Sequence, residues 1–105
     1  MLESAAIVQW LAERFPEKAL APTGAGPDRA DYLRYFIFGA NWMDMVLWQV
    51  RAQKHLLTPD KADPVALARY EQKFRSECEP QIADRLAQGD YILGELFSAA
   101  DVIIG

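Results

Sequence analysis

The chain has 105 residues, 51% of them hydrophobic and 25% charged, which is the composition of about one ordinary soluble domain. Its net charge of −4 and pI of about 4.9 argue against nucleic acid, whose binders carry a basic patch. The one cysteine, Cys78, excludes an internal disulfide and fits a reducing compartment. No secretory leader is legible after Met1, so a cytoplasmic protein is expected.

Glu3 to Phe15 reads as a short amphipathic helix that Ser4 can cap, with Ile7, Val8, Leu11 and Phe15 on one face and Pro16 ending it. Pro16 to Asp28 is rich in proline and glycine and reads as a linker. Asp28 is the expected cap of a long helix reaching about Leu56, roughly 40 Å at 1.5 Å per residue. Its apolar region is interrupted by Asn41 and Asp44 and falls short of the ~20 residues a membrane span needs. Leu33, Ile37, Ala40, Leu47 and Val50 form one stripe on it, and Tyr35, Phe38, Trp42, Met45 and Trp48 a second. With both stripes apolar, one face serves the local core. The other calls for a second domain, a second subunit or a ligand cavity, unless the helix is central to a larger bundle.

Asp63 and Pro64 have the residue types of a cap and a first helical position. The helix they open runs to about Gln88, with Leu67, Tyr70, Phe74, Cys78, Ile82 and Leu86 inward, and with Glu71–Arg75 and Arg75–Glu79 pairs outside. Pro80 predicts a kink near Ser76 to Glu79, and Gly89 a stop. Tyr91 to Phe97 reads as an extended connection into a further helix. That helix has a capping box in Ser98 and Asp101 and a hydrophobic staple in Phe97 and Val102. Helical spacing throughout, without period-two runs, predicts an all-α fold: a short helix, a linker, two long antiparallel helices and the start of a third.

Few residues are candidates for chemistry. A helix start offers free N–H groups and partial positive charge, so Ser4 there can hold a carboxylate while Glu3 faces an ammonium. That combination suits the head group of an amino acid or a γ-glutamyl peptide, although the dipeptide taken alone reads first as a plain capped helix with a solvated Glu. His55 reads as a solvated or dipole-stabilised histidine at a helix end, and Cys78 as a buried inert thiol. Asp60, Asp63 and Glu71 lack metal-loop spacing, so no metal is expected.

Three segments carry a resemblance. Gly94-x-x-Phe97-Ser98-x-Ala100-Asp101 resembles the helix-start motif in the C-terminal domain of glutathione transferases. Glu3-Ser4-Ala5-Ala6-Ile7-Val8-x-Trp10-Leu11-Ala12-Glu13-Arg14-Phe15-Pro16 is similar to the last helix of that family's thioredoxin-like domain. Arg29-Ala30-x-Tyr32-Leu33-x-Tyr35 resembles the opening of its first C-terminal-domain helix. The resemblance implies residues 1–15 as the end of a thioredoxin-like domain, 16–28 as an interdomain linker and 29–105 as an incomplete all-α helical bundle. It implies that Glu3 and Ser4 bind the γ-glutamyl end of glutathione, as cosubstrate. It also implies that Tyr35, Phe38, Trp42 and Met45 line a pocket for a small hydrophobic electrophile, and that the protein is a homodimer with no nucleic-acid or membrane partner.

The family forms its thiolate with a Ser, Tyr or Cys near the start of the thioredoxin-like domain, and holds glutathione beside a cis-proline ahead of this helix. Neither has a counterpart here, so the chain reads as an internal segment, inactive alone and without a catalytic residue of its own. The alternative expectation is a non-catalytic module of the same fold that serves dimerisation or docking.

Overall fold

Residues 3–105 are described by a computed structural model, so Met1 and Leu2 of the predicted 1–15 segment lie outside the described residues. The spine is the long helix over 27–56. It opens as α2 (Pro27–Ile37), passes through a π-helical turn (Phe38–Met43), continues as α3 (Asp44–Arg51) and ends in a second π turn (Ala52–Leu56). Backbone angles stay right-handed at each junction, so the helix is continuous. Pro27 takes the first helical position, where a missing N–H is no loss. The cap is therefore Gly26 and not Asp28, which falls in the first turn, where its charge still suits the helix dipole.

A return arm runs back along the spine as α4 (Pro64–Lys73), a third π turn (Phe74–Cys78) and α5 (Glu79–Leu86). Lys54 meets Glu71, Val46 clusters with Cys78, and Asp31 meets Arg85, so the arms are antiparallel, as predicted. Asp63 caps α4, its Oδ1 accepting the N–H groups of Val65 at 2.9 Å and Ala66 at 3.3 Å. The kink predicted near Ser76 to Glu79 takes the form of the third π turn. Pro80 has no N–H, so the Ser76 carbonyl loses its i+4 donor. The ladder adjusts by one residue, with the Glu79 N–H reaching Phe74 and the Gln81 side-chain amide donating to the Glu77 carbonyl at 2.7 Å. The arm ends at Leu86, just short of the predicted Gln88, where the Ala87 and Gln88 N–H groups close onto Ala83 and Arg85.

Tyr91 to Phe97 is not the extended connection that was predicted. Tyr91 and Gly94 exchange two backbone hydrogen bonds, of 2.8 and 2.9 Å, and a second bridge joins Leu93 to Leu96. Gly94 turns the chain at φ +85°, and Gly89 lies so close that a Cβ on it would stand 2.7 Å from the Gly94 backbone. These are isolated bridges, and the described residues form helices and turns without a named strand, the all-α character expected.

α6 (Ala99–Ile104) packs on α2, on the first π turn and on α1 (Ser4–Arg14). A first core cluster gathers Ala12, Tyr32, Tyr35, Phe36, Ile92, Ala99 and Ala100; a second gathers Met43, Val46 and Cys78. Phe38, Ile82 and Ile104 touch both. Tyr32, with no exposed surface, donates its hydroxyl to Gln9 Oε1 at 2.6 Å and so ties α2 to α1. Burial pushes that phenol upward, which keeps it a neutral donor. α1 turns differently from its predicted face: Ala12 is buried, whereas Leu11 and Phe15 stay exposed. After α1 the chain makes a 3₁₀ turn (Pro16–Lys18) and a left-handed residue, Ala19. The molecule measures 51 × 34 × 20 Å, so its shortest side is about two helix diameters.

Gly39 lets α6 approach the spine: a Cβ there would stand 2.8 Å from Cγ1 of Ile104 and 3.0 Å from Cγ2 of Ile103. Both atoms sit on β-branched side chains with little freedom at χ1. Gly39→Ala should therefore cost about 1–3 kcal/mol through overpacking, against a helix-propensity gain of about 1 kcal/mol. Urea unfolding should show a net loss of stability, whereas a net gain would mean that α6 is not seated at Gly39.

Candidate functional site

Two helix starts have a serine at or next to the cap, and they differ in what they leave open. At α6 the cap is closed. Ser98 Oγ accepts the Ala100 N–H at 3.2 Å, and Asp101 Oδ2 accepts the Ser98 N–H at 2.8 Å and the Ser98 hydroxyl at 3.1 Å, completing the capping box. The Ala99 N–H donates to the Leu20 carbonyl at 2.8 Å, and the Asp101 N–H to the Ser98 carbonyl at 3.1 Å. The donors of this first turn are thus held within the protein, and α6 is a structural joint. Phe97 and Val102, predicted to close a staple, are each about half-exposed, and the ring that Phe97 meets is that of Tyr91, edge-on at 5.4 Å.

At α1 the cap is open among the described residues. The residue with extended cap geometry is Glu3, at φ −83° and ψ 109°, which moves Ser4 from the predicted cap to the first helical position. No side chain of the described residues caps this helix, and the Glu3 carbonyl accepts the Ile7 N–H at 3.1 Å. Glu3 and Ser4 are both exposed. The end therefore presents first-turn N–H groups, a serine hydroxyl and a carboxylate within one turn, on a helix spanning 11 residues. Such an end favours an anion, and Glu3 adds a place for a cation beside it.

The aromatic stripe predicted to line an electrophile pocket is distributed over the core. Tyr35 is buried in the first cluster, with the Arg34 guanidinium 5.1 Å from its ring centre and that of Arg85 4.8 Å from it. Phe38 bridges the two clusters. Trp42 packs on the second cluster and carries the Lys73 ammonium 4.8 Å above its ring. Met45 joins Arg69, Tyr70, Lys73 and Ser76 on the wall of a shallow cavity of about 500 Å³. Two further features lie elsewhere. A cavity of about 620 Å³ separates the linker from Leu93–Ser98, and an apolar groove of about 420 Å³ runs between α1 and α6, lined by Val8, Leu11, Phe15 and Val102.

Cys78 has no exposed surface, and burial, with Glu77 adding to it, pushes its thiol upward, so it is held as a poor nucleophile. His55 is exposed in the last turn of the spine, beside Lys54. Among the described residues no cluster of three His, Cys, Asp or Glu side chains is placed to hold a metal ion.

The charged contacts that join the arms were not foreseen. Glu71, predicted to pair with Arg75, reaches across to Lys54 at 2.5 Å, and Arg85 pairs with Asp31. Among the described residues only the Lys73–Glu77 ion pair, at 3.2 Å, follows the i,i+4 rule, and it is not one of those predicted. Cross-arm partners depend on the register of the hairpin, which side-chain spacing on one helix does not reveal. No family model matches the chain, and no curated protein or solved structure matches it.

The Lys54–Glu71 pair has a pH signature. The hydrogen bond from Lys54, then its charge, lowers the Glu71 pKa from the ordinary value of 4.5. A lowered carboxylate contributes its stability above the unfolded value and loses it as pH falls through the folded one. An NMR titration of the Glu71 carboxyl carbon should therefore give a midpoint below that of an ordinary glutamate, and Lys54→Met should raise it toward the ordinary value. An unchanged midpoint in that variant would remove Lys54 as the cause.

Proposed function

We propose that this chain is part of a glutathione transferase, and that Glu3 and Ser4 hold the γ-glutamyl end of glutathione. The observation that carries the reading is the open start of α1. Its first-turn donors and the Ser4 hydroxyl suit the α-carboxylate of the γ-glutamyl group, and the exposed Glu3 carboxylate suits its α-ammonium. The closed start of α6 in the same molecule offers no such place. The order of the three resembling segments supports the assignment to that family, and the all-helical fold from residue 27 onward is compatible with its C-terminal domain.

In this reading the glutathione thiolate attacks a small, largely apolar electrophile. The 105 residues contribute binding and not thiolate formation: Cys78 is buried, and His55 sits at the far end of the spine. The thiol is a weak nucleophile until ionised, so activation falls to a group outside this set. Of the four stripe residues, Met45 lines a cavity, whose other walls are Tyr70 and the polar or charged Arg69, Gln72, Lys73, Ser76 and Glu77. The protein works in the cytoplasm as a homodimer, for which exposed Ile37, Leu47 and Trp48 on the spine offer apolar surface. The same exposed side chains favour the second reading, a non-catalytic module of this fold that docks or dimerises.

The two readings part at glutathione. Titrating glutathione into the labelled full-length parent, of which this chain reads as a segment, should move the amide resonances of Ser4, Ala5 and Ala6 in a saturable way. Ser4→Ala removes a charge-assisted hydrogen bond worth about 1.5–3 kcal/mol and should weaken binding about tenfold or more. Glu3→Gln should weaken it as well. Shifts that are absent, or that both variants leave unchanged, would sink the site and favour the docking module.

A further inference from the structure

α5 is joined to the rest of its arm by a weakened stretch of helix and is held to the spine near its far end. The weak stretch is the π turn Phe74–Cys78 with Pro80 just beyond it. Here the Ser76 carbonyl lacks its i+4 donor, the Glu77 carbonyl is served by the Gln81 side chain at 2.7 Å, and Cys78 is drawn to φ −101°. The hold is Arg85. Its guanidinium pairs with Asp31 on α2 and lies on the ring of Tyr35, 4.8 Å from the centre. Between weak stretch and hold sits Ile82, which packs on both core clusters and so helps to cover Cys78.

We infer that α5 is a latched flap: it swings about the Phe74–Cys78 turn, Arg85 on Asp31 and Tyr35 is its latch, and opening it uncovers Cys78. The parts have the strengths this requires. A partly exposed ion pair and a cation–π contact are each modest, so the latch opens far more often than the molecule unfolds. Among the described residues of α5, Ile82 alone joins the apolar packing under the flap; the chain beyond is next anchored at Ile92, which limits the swing to a small lift, and α4 stays packed on α3. The Asp31–Arg85 pair is screened by salt, which makes the flap salt-responsive.

The test reads the rate at which Cys78 reacts with an aromatic disulfide reagent. Arg85→Gln should raise that rate about tenfold while far-UV circular dichroism stays native. Its dependence on urea should be much shallower than that of global unfolding, because a local opening exposes little surface. Arg85→Lys, which keeps the charge but loses the planar fork and the stack, should fall between. In the unaltered chain 1 M salt should raise the rate, and in Arg85→Gln it should not. A rate that neither Arg85→Gln nor salt changes would overturn the latch. A raised rate with the full urea slope of unfolding would overturn the flap. Should Arg85→Gln fail to fold, the salt series on the unaltered chain decides alone.

Discussion

One carboxylate ties two pieces of this fold together, next to the point where a third joins them. Asp101 receives the Ser98 N–H and hydroxyl on Oδ2 and the Ile92 N–H on Oδ1, at 2.8 Å. The first two fix the start of α6. The third anchors the Tyr91–Phe97 turn at Ile92, a side chain only 2% exposed. The linker enters through the Ala99 N–H, which the Leu20 carbonyl accepts. A neutral side chain of the same length could satisfy some of these donors but not with a carboxylate's strength, and a hydrophobic one would leave a buried N–H alone. α1, α2 and the turn then pack on a helix whose position is already set.

How much of this was legible depended on range. The Ser98–Asp101 box and the Asp63 cap are made within a single turn, so residue types at fixed spacing were enough to find them. The hairpin of helices followed from two long periodic segments and a short turn. The errors have physical causes. Ser4 and Asp28 have the chemistry of caps, but extended geometry fell one residue earlier at Glu3 and two earlier at Gly26. The Tyr91–Gly94 bridge depends on a glycine at positive φ, and its sequence carries no other turn residue as strong. The face of the spine that is buried runs through Tyr32, Phe36, Gly39, Met43 and Val46 at ordinary helical spacing, whereas Leu33, Ile37 and Leu47 of the first predicted stripe and Trp48 of the second stay exposed. Periodicity marks apolar residues but does not say which of two apolar faces the rest of the chain covers.

The candidate site was legible only at one end. Residue type and a helix start marked Glu3 and Ser4, but nothing in the sequence separated an open start from a closed one. That difference arises from groups far along the chain: α6 is sealed partly by Leu20, whereas α1 has no such acceptor among the described residues. The aromatic stripe illustrates the opposite problem. Tyr35, Phe38 and Trp42 look like pocket residues on one helix, yet the return arm uses them for packing, with Arg85 and Lys73 laid over two of the rings.

The thinness of the molecule has a consequence for what must surround it. A compact chain of 11.9 kDa would expose about 5,900 Å² of accessible surface and have a radius of gyration near 13 Å. This one exposes 7216 Å² and has a radius of gyration of 15.9 Å. The surplus, about 1,300 Å², is of the size that two proteins remove from water when they form a standard interface. Trp10, Ile37, Trp48 and Val102, each more than half exposed, contribute to it from four different helical segments or faces. A slab two helices thick has no inside deep enough to take these side chains, however its core is repacked. Covering a broad face, by whatever neighbour it finds, would add more to its stability than any single substitution within.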